Sequence, residues 1–157
     1  MGRYAVNPES VDGTGMRIAV VVSRFNEAVT ASLAEGACRV LEGRGVDPES
    51  ILVVEVPGAF ELPVTAKRLA SSGQVDAVIC LGAVIRGDTP HFDYVAGEAA
   101  AGINRAALDT GVPCVFGVLT TDTLDQARDR IGGAAGHKGE EAAATALEMV
   151  SLLRGLP

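Results

Sequence analysis

Four short apolar runs alternate with longer amphipathic segments, and this alternation constrains the fold more than any other feature of the chain. Each run has the length of a strand and is rich in β-branched residues; the runs span residues 16–22, 50–56, 77–85 and 114–119. Such runs are typical of strands buried on both faces of a sheet. Strands that alternate with helices predict an α/β fold, with an open parallel sheet between two helical layers. The rule of right-handed crossovers leaves only a few doubly wound strand orders.

The segments between the runs have the periodicity and the end signals of helices. Apolar residues recur at helical spacing, and Gly or Pro marks most boundaries. The predicted helices follow Asn26, carry Pro63 in their first turn, begin at Pro90, span Leu124 to Arg130, and run from about Gly139 to Leu153. We expect one domain over residues 1–157. Residues 1–15 are polar and turn-rich and predict an N-terminal arm, in which residues 3–6 are a candidate short strand.

The composition argues against several classes of function. A net charge of −7 argues against a nucleic-acid surface, and no apolar run exceeds about half a membrane span. Three cysteines without CxxC spacing and only two histidines predict no metal site. The arm lacks a signal peptide's apolar core, so we expect reduced thiols and a cytoplasmic protein. The hydrophobic fraction of 48% exceeds what a small monomer needs and predicts subunit interfaces.

Unusual polar and aromatic residues follow the predicted strands. Because ligands of open α/β sheets bind beyond the carboxyl ends of the strands, these residues predict a binding site. Phe25 and Phe60 suggest a stacking site for a flat heterocycle, although each could be a core aromatic. Phe116 lies inside the fourth strand and is predicted to be core. Glu61 could accept hydrogen bonds from a ligand or simply favour the start of its helix.

The third strand runs into the most distinctive stretch of the chain, Gly82–Tyr94. The apolar run breaks at Arg86, and a helix then begins with Thr89 as predicted N-cap and Pro90 at the first helical position. His91 follows on the first turn, beside backbone N–H groups that lack an intrahelical partner. Such a place can hold an anion and move a proton. The alternative interpretation is a well-capped helix whose first turn carries a histidine without any function, and the same sequence fits it.

Familiar nucleotide-binding and nucleophilic motifs are absent from the chain. There is no GxGxxG, no GxxxxGK[ST], no nucleophilic serine elbow and no candidate Cys–His pair. Arg130 and Lys138 could be solvated charges, or they could counter a phosphate. General acid–base chemistry on a phosphorylated small molecule beside a flat ring is the interpretation that remains.

Five motifs in order resemble one family. They are Ser-Arg-Phe-Asn at 23–26, Val-Pro-Gly-Ala-Phe-Glu at 56–61, Gly-Ala-Val-Ile-Arg-Gly-Asp-Thr-Pro-His-Phe at 82–92, Gly-Val-Leu-Thr-Thr at 117–121 and Gly-His-Lys-Gly at 136–139. The chain is similar from about Met16 to Leu153 to the 6,7-dimethyl-8-ribityllumazine synthases. The resemblance implies a flavodoxin-like fold and a transferase of riboflavin biosynthesis without metal or organic cofactor. The implied reaction condenses 5-amino-6-(D-ribitylamino)uracil with 3,4-dihydroxy-2-butanone 4-phosphate and releases phosphate and water.

The resemblance also implies a role for each motif. The residues expected to bind the pyrimidine ring and the ribityl chain are Phe25, Asn26, Ala59, Phe60, Glu61, Ala83, Val84 and Ile85. Asp88 and Thr89 lie where the family holds the phosphate, largely by backbone N–H groups, and His91 lies at the proton-transfer position. The residues expected from an adjacent subunit are Phe116, Arg130 and Lys138, with Arg130 facing the phosphate. Because a carboxylate repels phosphate, we expect the Asp88 side chain to point away from the phosphate, where it could cap the helix or meet Arg86.

The family assembles as homopentamers, and some members pack twelve pentamers into an icosahedral shell. The segment 131–139 carries no insertion, which resembles the shell-forming members; riboflavin synthase is a candidate partner.

A rival function is a non-catalytic flavin- or lumazine-binding protein on the same scaffold. Phe25 and Glu61 would serve such a protein, but it would not need His91 or Arg130. A flavodoxin-like FMN electron carrier is a second rival, disfavoured by the absence of Trp and the scarcity of Tyr near the strand ends.

Overall fold

The computed structural model describes all 157 residues and has a four-stranded parallel sheet at its centre. The strands are β1 Ile18–Ser23, β2 Ile51–Val56, β3 Ala77–Ile85 and β4 Cys114–Thr121. The helices are α1 Glu27–Gly43, α2 Leu62–Ala70, α3 His91–Thr110, α4 Leu124–Arg128 and α5 Lys138–Gly155. The strand order β2-β1-β3-β4 matches the flavodoxin-like doubly wound order. The predicted α/β class is therefore confirmed. None of the helices is both long and apolar enough to cross a membrane.

Two apolar cores lie on the two faces of the sheet, because successive side chains of a strand point to opposite faces. On one face, Ile18 and Val20 of β1 pack with α1 and α5. On the other face, Ala19 and Val21 pack with α2 and α3. After β1 the chain moves outward to β2 and then crosses back to β3. This reversal leaves a crevice at the carboxyl ends of β1 and β3, where doubly wound proteins bind ligands.

Both sheet edges differ from the sequence-based expectation. The run that forms β2 predicts a strand buried on both faces, yet Leu52 and Val53 are 48% and 49% exposed. Phe116 of β4, predicted to be core, is 45% exposed. The reason is position, because β2 and β4 are the edge strands of the sheet and lack one neighbour each. Residues 3–6 form no strand in the chain.

Several local elements also differ from the prediction. α3 begins at His91 with Pro90 as N-cap, one residue later than expected, and the Thr89 hydroxyl accepts a hydrogen bond from the His91 N–H at 3.4 Å. α4 ends at Arg128, two residues early. A two-stranded antiparallel hairpin, β5 Ile131–Gly133 and β6 Gly136–His137, was not predicted. Its glycine-rich sequence has no alternating apolar pattern that would indicate strands.

A charged cluster ties the sheet together at the end opposite the crevice. Asp76, directly before β3, accepts hydrogen bonds from the Arg17 N–H at 2.7 Å and the Arg17 guanidinium at 3.3 Å. Arg154 of α5 approaches the same carboxylate at 3.3 Å. Burial raises the pKa of Asp76, but the Arg17 hydrogen bonds and the two positive charges outweigh burial and hold the pKa below its ordinary value.

We expect Asp76→Asn to lower the free energy of unfolding at pH 7 by about 1–2 kcal/mol, since charged hydrogen bonds are lost. A depressed folded-state pKa contributes stability above the unfolded pKa, and this stability is lost as the pH falls through the folded pKa. The difference between the wild type and the variant should therefore shrink below about pH 4. Urea unfolding of the wild type and the variant at several pH values measures this difference in the free energy of unfolding. Asp125→Asn, at an exposed pair with Arg128, is the control with almost no effect, and a pH-independent difference at Asp76 would contradict the assignment.

Candidate active site

The end of β1 is built to expose an aromatic ring. The backbone N–H groups of Arg24 and Phe25 donate to Val56 and Pro57, which extends the pairing with β2. Asn26 then takes the left-handed conformation, with φ 62° and ψ 48°, which is uncommon for a residue with a side chain. Its amide Nδ2 donates to the Ala83 carbonyl at 2.9 Å and so ties the end of β1 to β3. The result is a Phe25 side chain that is 71% exposed at the crevice, so Phe25 is not a core aromatic.

The segment after β2 passes close over β3. Residues Ala59–Glu61 form a 3-10 turn in which Ala59 is buried and Phe60 is exposed. A Cβ atom at Gly82 would lie 2.9 Å from the Ser23 hydroxyl and 3.3 Å from Leu62. Glycine at position 82 therefore permits the close approach that brings Phe60 and Glu61 over the end of β3.

The loop between β3 and α3 presents free backbone donors. The N–H groups of Gly87, Asp88 and Thr89 have no acceptor within the chain. The loop is exposed, and His91 follows it on the first turn of α3. Free N–H groups at the start of a helix are suited to binding a phosphate.

The Asp88 side chain does not take either of the partners suggested for it. It makes no hydrogen bond to the helix start and no ion pair with Arg86. Arg86 instead binds Asp122 at 2.8 Å and Asp93 at 3.5 Å. The physical reason is that two other carboxylates, one at the end of β4 and one on α3, already engage the guanidinium.

A cavity of about 640 Å³, here called the ring cavity, lies over the carboxyl ends of the strands. The predicted residues that line it are Phe25, Ala59, Phe60, Glu61, Ala83, Val84, Ile85, Thr89 and His91. Two aromatic faces, a carboxylate and an imidazole thus converge on one space. No Lys or Arg side chain lines the ring cavity.

A second cavity of about 630 Å³, here called the cation cavity, lies along β4 and α5. The three residues that were expected from an adjacent subunit line this cavity together: Phe116, Arg130 and Lys138. Arg130 donates to the Gln126 carbonyl at 2.9 Å and has no carboxylate partner, whereas Lys138 pairs with Glu141 at 2.8 Å. Cys114 also lines this cavity, and burial raises its pKa to about 11. At neutral pH that thiol is protonated and is not a nucleophile.

The structure thus divides the predicted site residues into two groups. No residue lines both cavities, and Asn26 and Asp88 line neither. Asn26 contributes through its hydrogen bond to Ala83. One chain therefore does not bring the unpaired guanidinium of Arg130 to the imidazole of His91.

Sequence reasoning assigned no site role to several residues of the ring cavity. They are Gly58, Gly87, Phe92, Tyr94 and Val95. Tyr94 and Val95 follow His91 by three and four residues on α3, so helical spacing places them on the face that carries the imidazole. That spacing was a usable signal. Gly58 and Gly87 gave no comparable signal, because a glycine in a turn has many ordinary explanations.

Comparison with known proteins agrees with the motifs. The model of the family described as 6,7-dimethyl-8-ribityllumazine synthase matches residues 15–154. A protein of Thermus thermophilus, named 6,7-dimethyl-8-ribityllumazine synthase, is 58% identical over 142 residues, which cover 90% of this chain and 90% of that protein. The protein of the same name from a second strain of Thermus thermophilus matches with the same identity and coverage.

Proposed function

The chain belongs to the 6,7-dimethyl-8-ribityllumazine synthase family, and we propose that its ring cavity and cation cavity are complementary halves of one active site. The reaction condenses 5-amino-6-(D-ribitylamino)uracil with 3,4-dihydroxy-2-butanone 4-phosphate and releases phosphate and water. One observation carries the proposal: the aromatic platform and the imidazole lie in one cavity, and Arg130 and Lys138 lie in the other. A second copy of the chain would bring the two together.

The ring cavity suits the uracil substrate. We assign Phe25 and Phe60 to the faces of the pyrimidine ring, since flat rings bind by offset or edge contacts with aromatic side chains. Glu61 lines the same space and is assigned as the acceptor for the ribityl hydroxyls. Holding the amine and the ketone together supplies much of the rate gain, because a bimolecular encounter becomes an intramolecular step.

The loop Gly87–Thr89 and Arg130 suit the phosphorylated butanone. The three free N–H groups of the loop would bind the phosphate oxygens, and Arg130 from the neighbouring subunit would add a positive charge and a second pair of donors. These groups stabilise the phosphate as it leaves. His91 lines the ring cavity next to this loop and is assigned to the proton transfers of imine formation, elimination and ring closure.

The exposed edge strands support assembly. Leu52 and Val53 on β2 and Phe116 on β4 leave apolar surface at both sheet edges, and natural proteins cover such edges. We assign the arm, whose first residues are exposed and irregular, to a neighbouring subunit's β2. Two different edges that meet head-to-tail form a heterologous contact, which closes into a ring when the rotation between subunits allows it. The family resemblance makes a homopentamer the proposed ring. The cysteines are unpaired, which suits the proposed cytoplasmic location.

Sedimentation of the purified chain tests the assembly. A pentamer is the expected minimum, and an icosahedral shell of pentamers is the larger proposed form, with riboflavin synthase as its candidate partner. A monomer at micromolar concentration would contradict the shared site. Co-sedimentation with added riboflavin synthase tests the partner, and its absence would remove that part of the proposal.

A direct assay tests the activity. The purified chain is mixed with both substrates, and lumazine fluorescence and phosphate release are followed together. We expect both signals to rise in proportion to protein concentration and well above the uncatalysed rate. Binding of lumazine without any product would favour the non-catalytic binding protein instead.

A further inference from the structure

Arg86 bridges the ends of two strands and the start of α3. Its backbone N–H donates to the Thr121 carbonyl at 2.8 Å, which continues the pairing of β3 with β4. Its side-chain Nε donates to Asp122 at 2.8 Å, and Nη1 donates to Asp93 at 3.5 Å. The guanidinium carbon lies 4.3 Å from the centre of the Phe92 ring, within cation–π distance. Contacts to four different residues therefore fix the backbone and the side chain of Arg86.

These contacts enclose the loop that carries the free N–H groups. Arg86 directly precedes Gly87, and two of its partners, Phe92 and Asp93, directly follow His91. The loop 87–90 itself has only one hydrogen bond to its side chains, from the His91 N–H to the Thr89 hydroxyl. Its shape is therefore set mainly from its two ends, and one guanidinium holds both.

The backbone at the other end of this bridge is also held by hydrogen bonds. The Asp122 N–H donates to the Gln126 side chain at 2.8 Å, and the Thr123 hydroxyl caps α4 by accepting from the Gln126 N–H at 3.1 Å. The backbone of Asp122 is therefore held by its own turn, and its exposed carboxylate is bound by Arg86 alone. The ion pair thus connects Arg86 to a backbone position at the end of β4.

Charge gives Arg86 a second effect on the same loop. Asp88, Asp93 and Asp122 all lie on or beside the segment assigned to the phosphate, and Arg86 is the one cation paired with any of them. Removal of Arg86 would leave these carboxylates uncompensated close to a dianionic group. Like charges at short range oppose phosphate binding.

We propose that Arg86 is a positioning residue for the phosphorylated substrate: it fixes the loop 87–90 through Asp122, Asp93 and Phe92, and it neutralises the carboxylates around the phosphate. Arg86 does not line the ring cavity and so acts through the loop. The proposal rests on the assignment of this loop to the phosphate. Arg86 contributes little to stability, because both of its ion pairs are exposed to solvent.

The test separates the two substrates. Arg86→Gln should raise the KM for the butanone phosphate about tenfold and leave the KM for the ribitylaminouracil within about twofold of the wild-type value. Arg86→Lys keeps the charge but loses the planar fork, so its KM for the butanone phosphate should lie between those of the wild type and Arg86→Gln. Arg86→Gln combined with Asp122→Asn should recover part of the lost affinity, because one uncompensated carboxylate is gone. Raised ionic strength should reduce the difference between Arg86→Gln and the wild type in the KM for the butanone phosphate, because salt screens the charges.

Three outcomes would overturn the proposal: an unchanged KM for the butanone phosphate, an equal rise of both KM values, or a double variant no better than Arg86→Gln. Arg105→Gln, on α3 and paired with Asp109, is the matched control that should resemble the wild type. Wild-type turnover in the same assay tests the proposed function independently. A rise in Tm on addition of inorganic phosphate, expected for the wild type and reduced in Arg86→Gln, tests the Arg86 proposal even if no product forms.

Discussion

Two damaged subunits, His91→Ala and Arg130→Ala, are expected to form mixed assemblies that are more active than either parent. The imidazole and the unpaired guanidinium line different cavities of one chain, so each variant keeps one intact half of the proposed shared site. In a head-to-tail ring of randomly mixed subunits, about one interface in four joins two intact halves. The mixed assembly should therefore recover about a quarter of the wild-type rate. Lumazine formation per subunit, after the variants are unfolded and refolded together, measures the recovery.

The parents must be slow enough for the recovery to be visible. Arg130→Ala should lower kcat/KM by about 10²–10³-fold, the cost typical of losing a donor to a developing negative charge. His91→Ala should slow turnover by about 10²-fold without abolishing it, because positioning of the two substrates remains. A fully inactive His91→Ala enzyme that still bound substrate normally would contradict that view of the rate. Arg128→Ala is the matched control, since Arg128 lies two residues before Arg130 in the chain but pairs with Asp125 and lines neither cavity.

The result also discriminates between two arrangements of the site. If both halves came from one chain after a local rearrangement, a mixture would show only the mean of its parents, whatever the mixing ratio. With a shared site, the rate should peak near an equal ratio. The dependence on ratio is therefore a sharper measurement than the rate at any one composition.

The sequence predicted the order of elements well because the evidence for it is local. The run Ala77–Ile85 is buried between two helical layers except for its last residue, and β3 has the same bounds as the run. The convergence of the residues at the strand ends also followed, because parallel strands put their carboxyl ends at one edge. Phe25 and Phe60, separated by 34 intervening residues in the chain, were correctly expected to lie at that edge.

The exposure of residues at the sheet edges could not be predicted from the sequence in the same way. A residue such as Phe116 lies in an apolar run that resembles the central strands, and only the strand order reveals that β4 is an edge. The partner of Arg86 was missed for a related reason. Asp88 is near in sequence, but the guanidinium binds Asp122, which is 36 residues away and which the pairing of β3 with β4 brings close. Long-range charge pairing depends on register, and no local pattern encodes register across a crossover.

The contact between α1 and α5 leads to the second large prediction, because it leaves no room for a side chain at Gly139. A Cβ atom there would overlap the Leu33 carbonyl oxygen and lie 2.8 Å from the Leu33 carbonyl carbon and 2.9 Å from its Cα. These are backbone atoms of a buried helix, so they cannot move aside as a flexible side chain can. The two helices would have to separate, and α5 begins only one residue earlier, at Lys138, which lines the cation cavity.

Gly139→Ala should therefore lower the free energy of unfolding by about 3 kcal/mol or more, at the upper end of what overpacking costs. The gain in helix propensity from alanine, about 1 kcal/mol, is too small to compensate. Gly43→Ala is the matched control, because Gly43 ends α1 and a Cβ there meets nothing within 4 Å; we expect it to be neutral or slightly stabilising. Urea unfolding of both variants measures the difference. Equal stability of the Gly139→Ala and Gly43→Ala proteins would mean that α1 and α5 can separate freely. A Gly139→Ala protein that folds but loses phosphate affinity would indicate that the start of α5 is displaced and carries Lys138 with it.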